Sequence, residues 1–247
     1  QQMNRVKRFV TTILLLTGLG LSAFCLTIRL TSYETGREEY RQLQEQFELA
    51  AGSTTDDAAA PNANMEKEEK WTRMMTSRNP DYVFWIWIPG TNINYPTVKN
   101  TIPDYYLNHT FSGEENPCGT IFCLEEGENQ IIYGHNMKDG SMFADLKQYR
   151  SEAYFQNHRS IWIYRQEEWQ QYMIFSCYTA REEETWIYQS HFISEEEKKT
   201  YLKSVKGKSL YTTGSQPEIT DSLITLSTCL GKGKRVIVHA VLLCYTE

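Results

Sequence analysis

The chain has 247 residues, 40% hydrophobic and 23% charged, the make-up of a globular protein with apolar material for a core of its own. Its net charge of −6 and the lack of any basic stripe along which a phosphate backbone could run exclude nucleic acid as the expected partner. Sixteen Tyr and six Trp lean towards β structure.

At the N-terminus Arg5, Lys7 and Arg8 precede an uncharged run from Phe9 to Ile28, closed by Arg29. About 20 residues rising ~1.5 Å each match a hydrocarbon core ~30 Å thick. The basic flank predicts a cytoplasmic N-terminus and an outward-facing remainder. No small-residue cleavage site follows the run, and Phe24 occupies the place before Cys25 where a lipoprotein signal needs a small residue. The expectation is therefore an uncleaved, single-pass signal anchor in the cell membrane. The chain divides into 1–30, cytoplasmic tip and transmembrane anchor; 31–64, helical stalk and linker; and 65–247, an extracellular domain.

In the stalk, YETGREEYRQLQEQFELAAG places Tyr40, Leu43 and Phe47 on one face of a helix. The small, polar stretch Gly52–Asn64 reads as a linker. A second helix, MEKEEKWTRMMTSR, stops before Asn79-Pro80, because the residue ahead of Pro disfavours the helical region. The texture then turns to strands: YVFWIWI, GTIFCL, QIIYGH, SIWIYR, QQYMIFSCYTA, SLITLSTC and RVIVHAVLLCY. Helical interruptions are predicted at MFADLKQY and at ISEEEKKTYLKSVKG, the latter capped by Ser194 with its acids in the first turn. The fold class is mainly β, a barrel or sandwich behind a helical stalk.

Cys25 lies in the apolar run, which leaves an odd number of cysteines outside it (118, 123, 177, 229 and 244), so one thiol stays free whatever the others do. Neither C-x-x-C nor paired ligand spacing is present, and nothing calls for a metal or another cofactor. Leu223-Ile-Thr-Leu-Ser-Thr-Cys229 is an apolar strand ending in a thiol, followed by the Gly/Lys loop 230–234 and a return strand opening at Arg235. A thiol there is exposed to cations that favour the thiolate, or else is a small buried hydrophobe. His135 follows a strand and Gly134, well placed for an acid or base, or is an ordinary loop histidine. His109, His158, His191 and His239 have weaker claims, and His239, in mid-strand, suits a local hydrogen bond.

TLSTC, with Arg235 on the next strand, resembles the active-site signature of sortases, and IIYGHN resembles their catalytic-histidine segment. From about Pro80 onward, NPDYVFWIWIPGTNINYPTV, YYLNHTFSG, CGTIF and GHNMKDGSMFADLKQY are similar to stretches of class B sortases. The resemblance implies an eight-stranded sortase barrel with N-terminal helices and one helix between late strands. It also implies a cysteine transpeptidase that cleaves a C-terminal sorting signal (NPxTx-like or xPxTG-like) on surface proteins after Thr. In that reading Cys229 is the nucleophile, His135 the acid and base, and Arg235 the oxyanion donor. An amine of the cell-wall precursor takes the acyl group. Leu107, Trp186, Ile187, Ser227 and Thr228 would line the signal groove. The short loop after Cys229 departs from relatives with a longer polar one, which bears on the second substrate. The buried role expected for Cys118 and Cys123 leaves a local bridge between them open. Rival readings are a pilus-polymerising sortase, a hydrolytic cysteine protease and an anchored domain that only binds.

Overall fold

A computed structural model describes residues 2–51, 65–102, 104–166 and 168–243. The expected linker over 52–64 and Cys244 lie outside the described residues. Helix α1 (Gln2–Ala51) runs unbroken through the basic cluster, the apolar run and the stalk, and α2 (Met65–Arg78) follows the predicted segment. From Phe9 on, α1 is long and apolar enough to cross a membrane, and among the described residues its most apolar stretch packs against nothing in the barrel.

The second half of α1 docks. Tyr40, Leu43 and Phe47 are 4%, 1% and 6% exposed, the stripe expected from their spacing. Phe47 stacks on Trp85 with ring centroids 4.2 Å apart, and Trp71 of α2 meets both rings edge-on. Helix and barrel thus share one aromatic core, which answers why a stalk this polar carries three large apolar side chains at all.

Eight strands close into a barrel: β1 (Tyr82–Trp87), β2 (Asn94–Lys99), β3 (Ile121–Cys123), β4 (Asn129–Tyr133), β5 (Ser160–Arg165), β6 (Glu168–Arg181), β7 (Leu223–Gly231) and β8 (Lys234–Leu242). Around the barrel the order is β1-β2-β3-β4-β7-β8-β6-β5, with β2/β3 and β4/β7 parallel and the other neighbours antiparallel. This is the mainly β, eight-stranded architecture expected. The sequence reading assigned no strand to NYPTVK, where Pro96 argues against a central position. In the barrel the pairing of β2 with β3 begins only at Thr97, so Pro96 forfeits no ladder bond on that side.

Of the two predicted helical interruptions, MFADLKQY becomes a tight 3-10 turn (Ala144–Arg150) followed by α3 (Glu152–Asn157), and the other is α4 (Glu195–Lys208). The Ser194 hydroxyl caps α4 by accepting the Glu197 N–H at 3.2 Å. Lys198, 3% exposed, pins α4 to the barrel by donating to the Glu128 carboxylate and the Asp221 carbonyl, both at 2.9 Å.

Candidate active site

β7 and β8 form the hairpin that carries the thiol. Lys232 and Gly233 have φ of 56° and 67°, the left-handed pair that a two-residue turn of matching twist requires. Gly231, with φ 86°, absorbs a bulge just before the turn. The loop after Cys229 is therefore a tight, fixed turn, and its register sets Cys229 directly opposite Arg235.

His135 arrives from the other side of β7. β4 pairs with β7 in parallel, with Tyr133 level with Ser227. Two residues further along each chain stand His135 and Cys229. The Thr228 hydroxyl donates to the Gly134 carbonyl at 2.7 Å, the Gly134 N–H to the Ser227 carbonyl at 3.3 Å, and the Asn136 amide to the Cys229 carbonyl at 2.9 Å. Gly134 is required by close packing: a Cβ there would lie 2.4 Å from Ile121 Cδ1 and 2.8 Å from the Phe143 ring.

Nε2 of His135 lies 2.8 Å from the Leu107 carbonyl. A carbonyl only accepts, so Nε2 carries the proton and Nδ1 is the nitrogen left free to exchange one. Arg235 Nη2 sits 3.6 Å from the Glu182 carboxylate, a partly exposed pair that orients the guanidinium more than it stabilises the fold. Cys229 is exposed, whereas Cys118, Cys123 and Cys177 are buried free thiols, with no bridge between Cys118 and Cys123. Burial pushes their thiols up to about 12, 11 and 12, so none is a thiolate at neutral pH. The cluster thus offers an exposed thiol, an imidazole with one free nitrogen and a guanidinium at a single barrel rim. That is the equipment for acyl transfer through a thioester.

Residues 86–243 match the family described as the sortase domain, well over half of the chain. The chain belongs to the sortase family. It is 33% identical to sortase B of Listeria monocytogenes over 94% of this chain and 97% of that protein. It is 28% identical to sortase B of Staphylococcus aureus over 91% of each. Among solved structures, sortase B of Bacillus anthracis superposes with a TM-score of 0.72 at 31% identity, covering 87% of this chain and 99% of that one. A mutant form of Clostridium perfringens sortase B gives 0.70 at 30% identity, covering 73% and 90%. This is a class B sortase, a cysteine transpeptidase.

Around the sortase rim the residues named from sequence are placed unequally. Leu107 is half-buried and meets His135 through its carbonyl. Ser227 and Thr228 are 1% and 0% exposed, their hydroxyls engaged by Tyr188 and Gly134. Ile187 is wholly buried in the smaller core cluster under α4, and Trp186, 39% exposed, packs edge-on against Tyr201 of α4. Sequence reasoning stopped one residue short of Tyr188. Its hydroxyl is 3.1 Å from Ser227 Oγ and its ring 5.7 Å from that of Tyr133. Burial raises the Tyr188 phenol's pKa, opposed first by its hydrogen bond with Ser227 and then by the positive charge of Arg235. Glu182 was missed as well, since its partner arrives from a different hairpin.

Proposed function

We propose that the chain is a membrane-anchored sortase whose thiol Cys229 attacks the carbonyl after Thr in a C-terminal sorting signal. The observation that carries this reading is the register that sets exposed Cys229 opposite Arg235, with His135 level on its other side. The sulfur–carbon bond forms as the peptide C–N bond breaks, and the leaving amine takes its proton from Nδ1 of the His135 imidazolium. The Arg235 guanidinium donates to the oxyanion of each tetrahedral intermediate. An amine of the cell-wall precursor then attacks the thioester, gives its proton to His135 and releases Cys229, so that the product is a new amide on a surface protein.

The apolar run of α1 holds the enzyme in the membrane, N-terminus inside and barrel outside; of the divisions 1–30, 31–64 and 65–247, the second contributes Tyr40, Leu43 and Phe47 to the core of the third. A signal peptide laid along this rim runs past Leu107, Tyr188 and Trp186, and meets Ile187, Ser227 and Thr228 through the main chain or the side chains they support.

The test is the full chain in detergent with fluorogenic peptides of the NPxTx and xPxTG types, a small amine, and mass spectrometry of the products. Cys229→Ala, His135→Ala and Arg235→Ala run in parallel. Cleavage after Thr with an amine-linked product, lost in Cys229→Ala, is the expected result. Cleavage that survives Cys229→Ala overturns the reading, and a carboxylic acid product despite added amine would make the enzyme a protease.

A further inference from the structure

Both ends of His135 trace back to one side chain of α1. The Tyr40 hydroxyl, 4% exposed, donates to the Gly119 carbonyl at 2.7 Å, lies 2.9 Å from Thr120 Oγ1 and accepts the Phe111 N–H at 3.1 Å. Gly119 is pressed against the segment that holds the imidazole. Its φ is 60°, and a Cβ there would fall 2.6 Å from the Tyr106 carbonyl oxygen and 2.8 Å from that of Leu107. The next N–H, of Thr120, donates to the Tyr106 carbonyl at 2.8 Å, and the Thr120 hydroxyl to the His109 carbonyl at 2.8 Å. The Leu107 carbonyl between those two is the acceptor of His135 Nε2.

A second route reaches the main chain of the same histidine. The Tyr40 ring meets Tyr95 edge-on, centroids 5.5 Å apart, and the Tyr95 hydroxyl accepts the Met142 N–H at 3.1 Å. The next N–H, of Phe143, donates to the His135 carbonyl at 2.8 Å. Burial holds the Tyr40 phenol well above its ordinary pKa, so it remains a donor throughout the working range.

We propose that Tyr40 is a positioning residue for His135, so that the docked half of α1 belongs to the catalytic apparatus as well as to the anchor. Tyr40 touches no substrate. It fixes the Leu107 carbonyl through Gly119, whose neighbour Thr120 holds the Tyr106 and His109 carbonyls on either side, and the loop behind His135 through Tyr95. This rests on His135 being the acid and base of the transfer.

The test is Tyr40→Phe in the full chain, which keeps the ring and removes the hydroxyl, with His135→Ala as reference. The expected result is a fall in kcat of about 3- to 30-fold with KM for the signal peptide unchanged, short of the ~100-fold that an ångström of misplacement can cost. In 15N-labelled protein the Nε2–H proton of His135, protected by Leu107, should exchange faster with water in Tyr40→Phe. Thr120→Val should reproduce both effects and Thr120→Ser restore wild-type values, which keeps the test decisive if Tyr40→Phe does not fold. A Tyr40→Phe enzyme that only melts lower, with kcat and Nε2–H exchange unchanged, overturns the proposal. Full activity in His135→Ala would instead sink the reading beneath it.

Discussion

The hydroxyl of Thr228 donates to the carbonyl of Gly134 at 2.7 Å, tying the residue before Cys229 to the residue before His135. Thr228 is wholly buried, so no water can replace that donor. Thr228→Val keeps the shape and leaves the Gly134 carbonyl short of a partner. The expected cost is about 1–3 kcal/mol in denaturant unfolding, with turnover falling further than stability explains. Thr228→Ser should recover both. A valine variant with wild-type stability and turnover would show that the β4–β7 ladder alone sets the site.

Gly134 itself makes a sharper case. A Cβ 2.4 Å from Ile121 Cδ1 forces backbone or side chain to move, next to the imidazole. Overpacking of this kind costs about 1–3 kcal/mol. Gly134→Ala should therefore lower the melting temperature and turnover together, and adding Ile121→Val, which removes the clashing methyl, should restore part of each. Without partial rescue, the Phe143 ring is the controlling contact.

These two contacts show where the sequence was legible. That Cys229 and Arg235 share a hairpin was legible because strand pattern and Gly/Lys turn are read from adjacent residues, and the structure pairs them. The roles expected of them came from the resemblance to sortases, not from the hairpin. The stripe Tyr40, Leu43, Phe47 was read correctly from its period, but its partners Trp85, Gly119 and Thr120 lie far along the chain, where periodicity carries no information. The same holds for Tyr188 with Ser227 and Glu182 with Arg235. Leu107 was named for its side chain, whereas its contact with His135 is a main-chain carbonyl, which every residue possesses and no residue type announces. β2 went unassigned because Pro96 lowers the strand signal even where the pairing pattern tolerates it.

The docked half of α1 bears directly on how the enzyme is prepared. A fragment beginning at Met65 loses Tyr40, Leu43 and Phe47 and uncovers Trp85, which is 0% exposed in the whole chain. Phe47→Ala alone should cost about 3–5 kcal/mol, and Leu43→Ala about 2–5 kcal/mol. A fragment beginning at Thr31 retains all three contacts. Thermal melts of the two fragments should separate clearly, the Met65 fragment melting lower or failing to fold cooperatively. Equal melting temperatures would mean that the barrel core closes without the helix.

His239 supplies a pH dependence of stability away from the site. It is 1% exposed, and its two ring nitrogens are fully used in the neutral form. Thr225 spends its proton on Asn129 at 2.7 Å and so accepts from Nδ1–H at 2.8 Å, while the Tyr178 hydroxyl donates to Nε2 at 2.9 Å. Burial lowers the folded pKa from 6.5 to about 3. Below the unfolded pKa the unfolded chain binds a proton that the folded one refuses, so this contribution to stability is complete above pH ~6.5 and is lost as pH falls towards ~3, by up to ~1.4 kcal/mol per pH unit. Unfolding free energy measured from pH 7 to pH 4 should fall with that slope superimposed on the carboxylates' own. His239→Gln, which does not titrate, should flatten the profile while lowering stability at pH 7. An unchanged slope in the glutamine variant would show that His239 takes up its proton in the folded barrel.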